Sequence, residues 1–136
     1  MRYIDTNIFI RFLTGDVPSK EESTRLLFRR VDLNEEEVTT SEAVVAEIVY
    51  VLSSRSHYGL SRDAIHERLS PILNLEGLKL DRKSAVLRGL EIYADYPRFD
   101  FEDALSVAHM ESMGIEEILS YDLDFDFFPG IKRIEP

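Results

Sequence analysis

The chain contains no cysteine, and only 6 of its 136 residues are glycine and 5 proline. Without cysteine there can be no disulfide, no thiolate metal site and no cysteine nucleophile. Basic side chains are also scarce. Sixteen lysines and arginines stand against 26 aspartates and glutamates, for a formal net charge of −10 at pH 7. That sign opposes unaided binding to a phosphate backbone. No apolar run reaches the ~20 residues that span a bilayer, and no basic, apolar, small-residue leader opens the chain. These absences predict a reducing cytoplasm and no membrane. The histidines, His57, His66 and His109, lack zinc-ligand spacing, and His66 is expected at the surface. With no linker, repeat or low-complexity tract, residues 1–136 are expected to form one domain. That length buries roughly two thirds of the unfolded surface without staples.

What is present reads as alternating strands and helices. A short strand at Tyr3–Ile4 ends at Asp5, and Asp5 and Thr6 open a helix carrying Ile8, Phe9, Phe12 and Leu13 at helical spacing. Gly15-Asp16-Val17-Pro18 breaks it, and Lys20 to Arg30 forms a second helix. Glu37 to Thr40 reads as a strand, followed by a helix from Glu42 to Ser54 capped by Ser41. Ser61 caps a further helix, Leu78 to Leu80 is a brief strand, and Ser84 to Tyr93 is helical. Asp100 caps a helix from Phe101 to Met113 that stops at Gly114. Strands follow at Glu117 to Tyr121 and at Lys132 to Ile134. The alternation predicts an α/β sandwich around a largely parallel sheet, whose ligands bind beyond the carboxyl ends of strands.

Four acids, distant in sequence, adjoin apolar segments: Asp5, Glu47, Asp103 and Asp122. Asp5 serves equally well as a helix N-cap or as a ligand. Glu47 shares a helical face with Val44, Ile48 and Val51, so it is expected to be buried or at the edge of that face. Glu42 suits the helix N-terminus after Ser41 and needs no further role. In Asp100-Phe101-Glu102-Asp103, the first acid is the cap, Glu102 projects to solvent, and Asp103 lies on the inward side with Val107 and Met110. Asp122 follows a strand immediately; Asp124 is a supplementary candidate and Asp126 a turn or cap residue. An EF-hand reading of this stretch fails, because Phe127 and Arg133 stand where glycine and glutamate are required.

Two carboxylates about 6 Å apart repel by roughly 3 kcal/mol at an effective dielectric near 20. Several such pairs would consume much of a typical ~5–15 kcal/mol stability. If the four acids converge, either some stay protonated or a divalent cation compensates them. All-oxygen ligands favour Mg²⁺ or Mn²⁺ over zinc. A metal-neutralised pocket would also absorb part of the negative charge, so the global sign leaves the partner open. The basic clusters at Arg25, Arg29 and Arg30, at Arg62 and Arg68, and at Lys132 and Arg133 are expected as solvated faces. Phe9, Phe12 and Tyr50 are expected in the core, a dimer or partner groove being the other reading.

Tyr3-Ile4-Asp5-Thr6-Asn7, Ala46-Glu47-Ile48, Asp100-Phe101-Glu102-Asp103-Ala104-Leu105 and Ser120-Tyr121-Asp122-Leu123-Asp124-Phe125, in that order, resemble the PIN-domain family. The likeness is strongest to VapC-like toxins, the ribonuclease halves of bacterial and archaeal toxin–antitoxin pairs. It extends over the whole chain, including the closing Pro129-Gly130-Ile131-Lys132.

The resemblance implies a three-layer α/β/α sandwich and an endoribonuclease that uses Mg²⁺ or Mn²⁺ to hydrolyse RNA phosphodiesters with metal-activated water. Carried over by motif, Asp5, Glu47, Asp103 and Asp122 are the catalytic, metal-binding quartet, with Asp124 competing for the fourth place. Thr6, Asn7 and Ser120 match the supporting polar residues; at Ser120 threonine is also usual. The resemblance further implies a homodimer and a cognate antitoxin whose C-terminal segment lies in a groove near the site. A housekeeping RNA-processing nuclease and a non-catalytic metal-binding interaction module are the alternatives. Phosphoryl transfer through an aspartate is disfavoured, since Asp5-Thr6-Asn7 lacks the second aspartate of phosphatase openings.

Overall fold

A computed structural model of the protein describes all 136 residues. Its elements run β1 (Arg2–Tyr3), α1 (Thr6–Thr14), α2 (Pro18–Asp32), β2 (Val38–Thr39), α3 (Glu42–Ser53), α4 (Arg62–Leu73), β3 (Leu78–Lys79), α5 (Lys83–Asp95), α6 (Phe101–Met113), β4 (Glu117–Leu119) and β5 (Lys132–Ile134). A 3₁₀ turn, Leu123–Phe127, lies between β4 and β5. The fold is α/β with six helices, and every strand pair is parallel.

Local signals set most boundaries. The side chain of Ser41 accepts the Val44 N–H at 3.4 Å, and that of Ser61 accepts the Ala64 N–H at 3.1 Å. Gly15 and Gly114 end α1 and α6 with φ of 63° and 68°, in the left-handed region that glycine enters without steric cost. Helix α2 begins at Pro18, whose fixed φ suits a first turn, and runs past the expected Lys20–Arg30 at both ends.

The strands are only two or three residues long and form two hydrogen-bonded ladders. In the first, β2 lies between β1 and β3, with Arg2 opposite Val38 and Val38 opposite Leu78. In the second, β4 pairs with β5, with Glu117 opposite Lys132. No backbone hydrogen bond joins the two ladders.

One cluster of 27 buried apolar residues forms the core. Fully burying a side chain such as Ile48, Leu69 or Leu90 contributes about 1.5–3 kcal/mol each. Close approaches select glycine. A Cβ at Gly77 would meet the Val31 and Glu36 carbonyls at 2.6 Å, and one at Gly89 would lie 3.3 Å from the Leu105 Cα.

Three sequence expectations change here. Phe9 is fully buried and Phe12 packs against the core, but Tyr50 is 68% exposed, because it faces away from the side of α3 that carries Ile48 and Leu52. Arg62 is not a solvated cation: its Nη1 donates to the carbonyls of Tyr93 at 2.9 Å and Phe99 at 2.6 Å, and its guanidinium stacks 4.2 Å from the Tyr93 ring. Arg133 is likewise held, with its side chain 13% exposed, by Asp126, Glu135 and the Ser120 carbonyl. No helix is long and apolar enough to cross a membrane.

Candidate functional site

Asp5 follows Ile4, whose N–H is held by the Thr39 carbonyl at 2.8 Å at the end of β1. It occupies the N-cap position of α1 with extended backbone, yet its side chain caps nothing. It forms no ion pair either. Capping therefore does not explain this aspartate, and its exposed carboxylate is free for a ligand.

The next residue, Thr6, is buried, and its hydroxyl donates to Glu47 Oε2 at 2.7 Å. That bond fixes the acid of α3 beside the first turn of α1. Glu47 itself is exposed rather than buried, standing outside the apolar side of its helix. Asn7 is exposed on α1.

A second acidic group forms where α6 begins. Asp100 caps the helix by accepting the Asp103 N–H at 2.8 Å. Asp103 is half-buried on the inward side, and its carboxyl is pushed up to about 6. Burial is the main cause; the negative charges of Asp100 and then Asp122 add to it. Asp122, just after β4, therefore lies within electrostatic reach of Asp103. Ser120 Oγ accepts the Asp122 N–H at 3.0 Å, and Asp122 Oδ1 accepts the Asp124 N–H at 2.9 Å.

The neighbouring acids are otherwise engaged. Asp124 faces the Arg98 guanidinium at 3.6 Å, and Asp126 pairs with Arg133 at 3.1 Å. Asp122, not Asp126, caps the 3₁₀ turn. Glu42 does more than suit its helix end, since it meets His109 Nε2 of α6 at 2.8 Å.

The acids thus form two groups: Glu47 bound to Thr6 next to Asp5, and Asp103 with Asp100 and Asp122. As the side chains stand, no three of them converge on one point. Their chemistry nonetheless suits a hard divalent cation. None of Asp5, Glu47, Asp103 or Asp122 is matched by a lysine or arginine, the donors are all oxygen, and Asp103 is destabilised in its charged form. Asp100 does more than cap α6. Its second role, raising the charge density at Asp103, follows from sharing one helical turn with it.

Among known protein families, residues 2–130 match the PIN domain. The chain belongs to the PIN-domain family. The matched stretch of this PIN domain includes all four acids and the 3₁₀ turn. Over 138 aligned positions the chain is 30% identical to a VapC ribonuclease of Mycobacterium bovis, and equally to ribonuclease VapC13 of Mycobacterium tuberculosis. Each alignment spans 98% of this chain and 99% of the relative. A crystal structure of Mycobacterium tuberculosis VapC20, a toxin that cleaves the sarcin–ricin loop, is similar at 20% identity over 93% of both chains, with a TM-score of 0.38.

Proposed function

We propose that this PIN domain is the toxin of a toxin–antitoxin pair, an endoribonuclease that hydrolyses RNA phosphodiesters with Mg²⁺ or Mn²⁺. End-to-end similarity to two VapC ribonucleases carries the reading. The unpaired acids at the ends of β1 and β4 support it.

Asp5, Asp103 and Asp122 would hold the metal, with Glu47 bound directly or through water. When bound, the ion supplies an attacking water of lowered pKa and stabilises charge on the phosphate and leaving oxygen. The chain's own part is positioning. Thr6 holds Glu47, the Asp100 cap fixes the first turn of α6 and with it Asp103, and Ser120 steadies the backbone of Asp122. No side chain need act as a covalent nucleophile. Asp124, already facing Arg98, stands outside the quartet in this reading. The partners are the RNA substrate, an antitoxin and a second copy of the chain, and the location is the cytoplasm.

Cleavage of a total RNA pool with Mn²⁺ or Mg²⁺, beside an identically prepared Asp103→Asn variant, tests the reading. Discrete products that vanish with EDTA and in the variant are expected. Identical patterns from parent and variant would overturn it, and cleavage by neither would favour a non-catalytic interaction module.

A further inference from the structure

Beside the acidic groups lies a cavity of about 200 Å³ that the proposed chemistry does not use. Its walls come from the loop Asp95 to Phe99 and from Asp124 and Phe127 of the 3₁₀ turn. Phe125 and Phe128 are buried and anchor the turn, with ring centroids 5.4 and 6.1 Å from that of Phe99. Phe127, between them, is 56% exposed. Its ring is covered on one side by the Arg98 guanidinium, 3.7 Å from the centroid. The anchors present an aromatic ring to solvent with a planar cation stacked on it.

We infer that this cavity seats one unpaired base of an RNA strand, stacked on the Phe127–Arg98 pair. Three features favour a base over other ligands. Aromatic rings and arginine planes are the surfaces on which splayed RNA bases stack. The exposed lining is almost wholly apolar, which suits the flat face of a base and offers little to a phosphate. Finally, the wall is continuous with the acidic site: the Asp124 that lines the cavity gives its N–H to the Asp122 carboxylate at 2.9 Å. A strand whose phosphate lies at the acids would present a neighbouring base to this cavity. The inference rests on the nuclease reading for its substrate, but it concerns binding and not turnover.

The chain has no tryptophan, so Phe127→Trp installs a single fluorescent reporter at the stack. We would titrate this variant in Mn²⁺ with a 12-nucleotide single-stranded RNA on a cleavage-resistant phosphorothioate backbone, and with an abasic strand of the same backbone and length. Quenching by the base-bearing strand alone is expected. Phe127→Ala should bind that strand about ten-fold more weakly than the parent, within the range of single base–aromatic stacks, and Phe127→Trp should retain the parent's affinity.

Equal quenching by both strands, or none, overturns the base seat, as does unchanged affinity in a Phe127→Ala protein with the parent's circular dichroism. The two readings fail separately. Metal-dependent cleavage by the parent with no quenching in Phe127→Trp removes the base seat and keeps the nuclease. Base-specific quenching with no cleavage under any metal does the reverse.

Discussion

Thr6 and Glu47 are 41 residues apart in sequence and 2.7 Å apart in space, the buried hydroxyl of one donating to the carboxylate of the other. This is the bond that brings the acid of α3 beside Asp5. Thr6→Val keeps the shape and removes the donor, so stability should change by only about 1 kcal/mol. Activity should fall about ten-fold, a size typical of lost supporting contacts to a metal ligand. Thr6→Ser should restore most of it. RNA cleavage rates beside urea midpoints separate the two effects, and a Thr6→Val protein with full activity would remove Glu47's orientation from the mechanism.

Asp103 makes stability depend on pH with a definite sign. Its carboxyl titrates at about 6 in the folded protein against an ordinary value of 3.8. The folded state therefore holds the proton more tightly, so its contribution is complete below pH 3.8 and is lost as pH rises through 6. Asp103→Asn removes that loss. The group is partly open to solvent, which screens the effect, and we expect the variant to be about 1 kcal/mol more stable at pH 8 in EDTA. At pH 4 the advantage should largely vanish. Thermal melts at the two pH values check this, and equal differences at both would contradict the assignment.

A divalent ion that binds only the folded acids must stabilise the fold by mass action. At a hundred-fold excess over its dissociation constant, Mg²⁺ should add about 2.7 kcal/mol, a rise in melting temperature of roughly 8 °C for a chain of this length. EDTA should reverse the rise. Asp5→Asn should abolish most of it while leaving the metal-free melting temperature unchanged or higher, because Asp5 makes no hydrogen bond or ion pair that its amide would lose. An unaltered Mg²⁺ response in that variant would remove Asp5 from the ligand set.

Arg62 stitches the start of α4 to the loop that leads into α6. It donates to the carbonyls of Tyr93 and Phe99 and, at 3.4 Å, to that of Tyr96, while stacking on the Tyr93 ring. Arg62→Met keeps much of the apolar stem and removes the side-chain donor from the Tyr93 and Phe99 carbonyls, while the Tyr96 carbonyl still accepts the Phe99 N–H at 3.0 Å. The cost should be about 2–3 kcal/mol, a fall of roughly 8 °C in melting temperature. Arg68→Met, on the exposed side of the same helix, should stay within about 0.5 kcal/mol. Similar losses in both would mean that the carbonyl contacts contribute little.

The sequence by itself determined the order of strands and helices, because caps, glycine stops and apolar periodicity act within one or two turns. Ser41, Ser61, Asp100, Gly15 and Gly114 each ended or began the helix their local chemistry predicted. Asp103's inward side was also legible, since residues 107 and 110 repeat on the same helical face. Tertiary structure alone decided what distant residues do to one another. Asp5 is free of its cap, Glu47 is exposed yet held by Thr6, Asp122 raises the pKa of Asp103, and Arg62 serves backbone carbonyls some thirty residues away. The strands' division into two ladders was equally invisible in the sequence. Two- and three-residue strands carry too little pattern to name their partners, and pairing follows from how the helices between them bury their apolar faces. Local propensity is written in neighbouring residues, whereas these relationships arise only once burial brings separate segments within a hydrogen bond's reach.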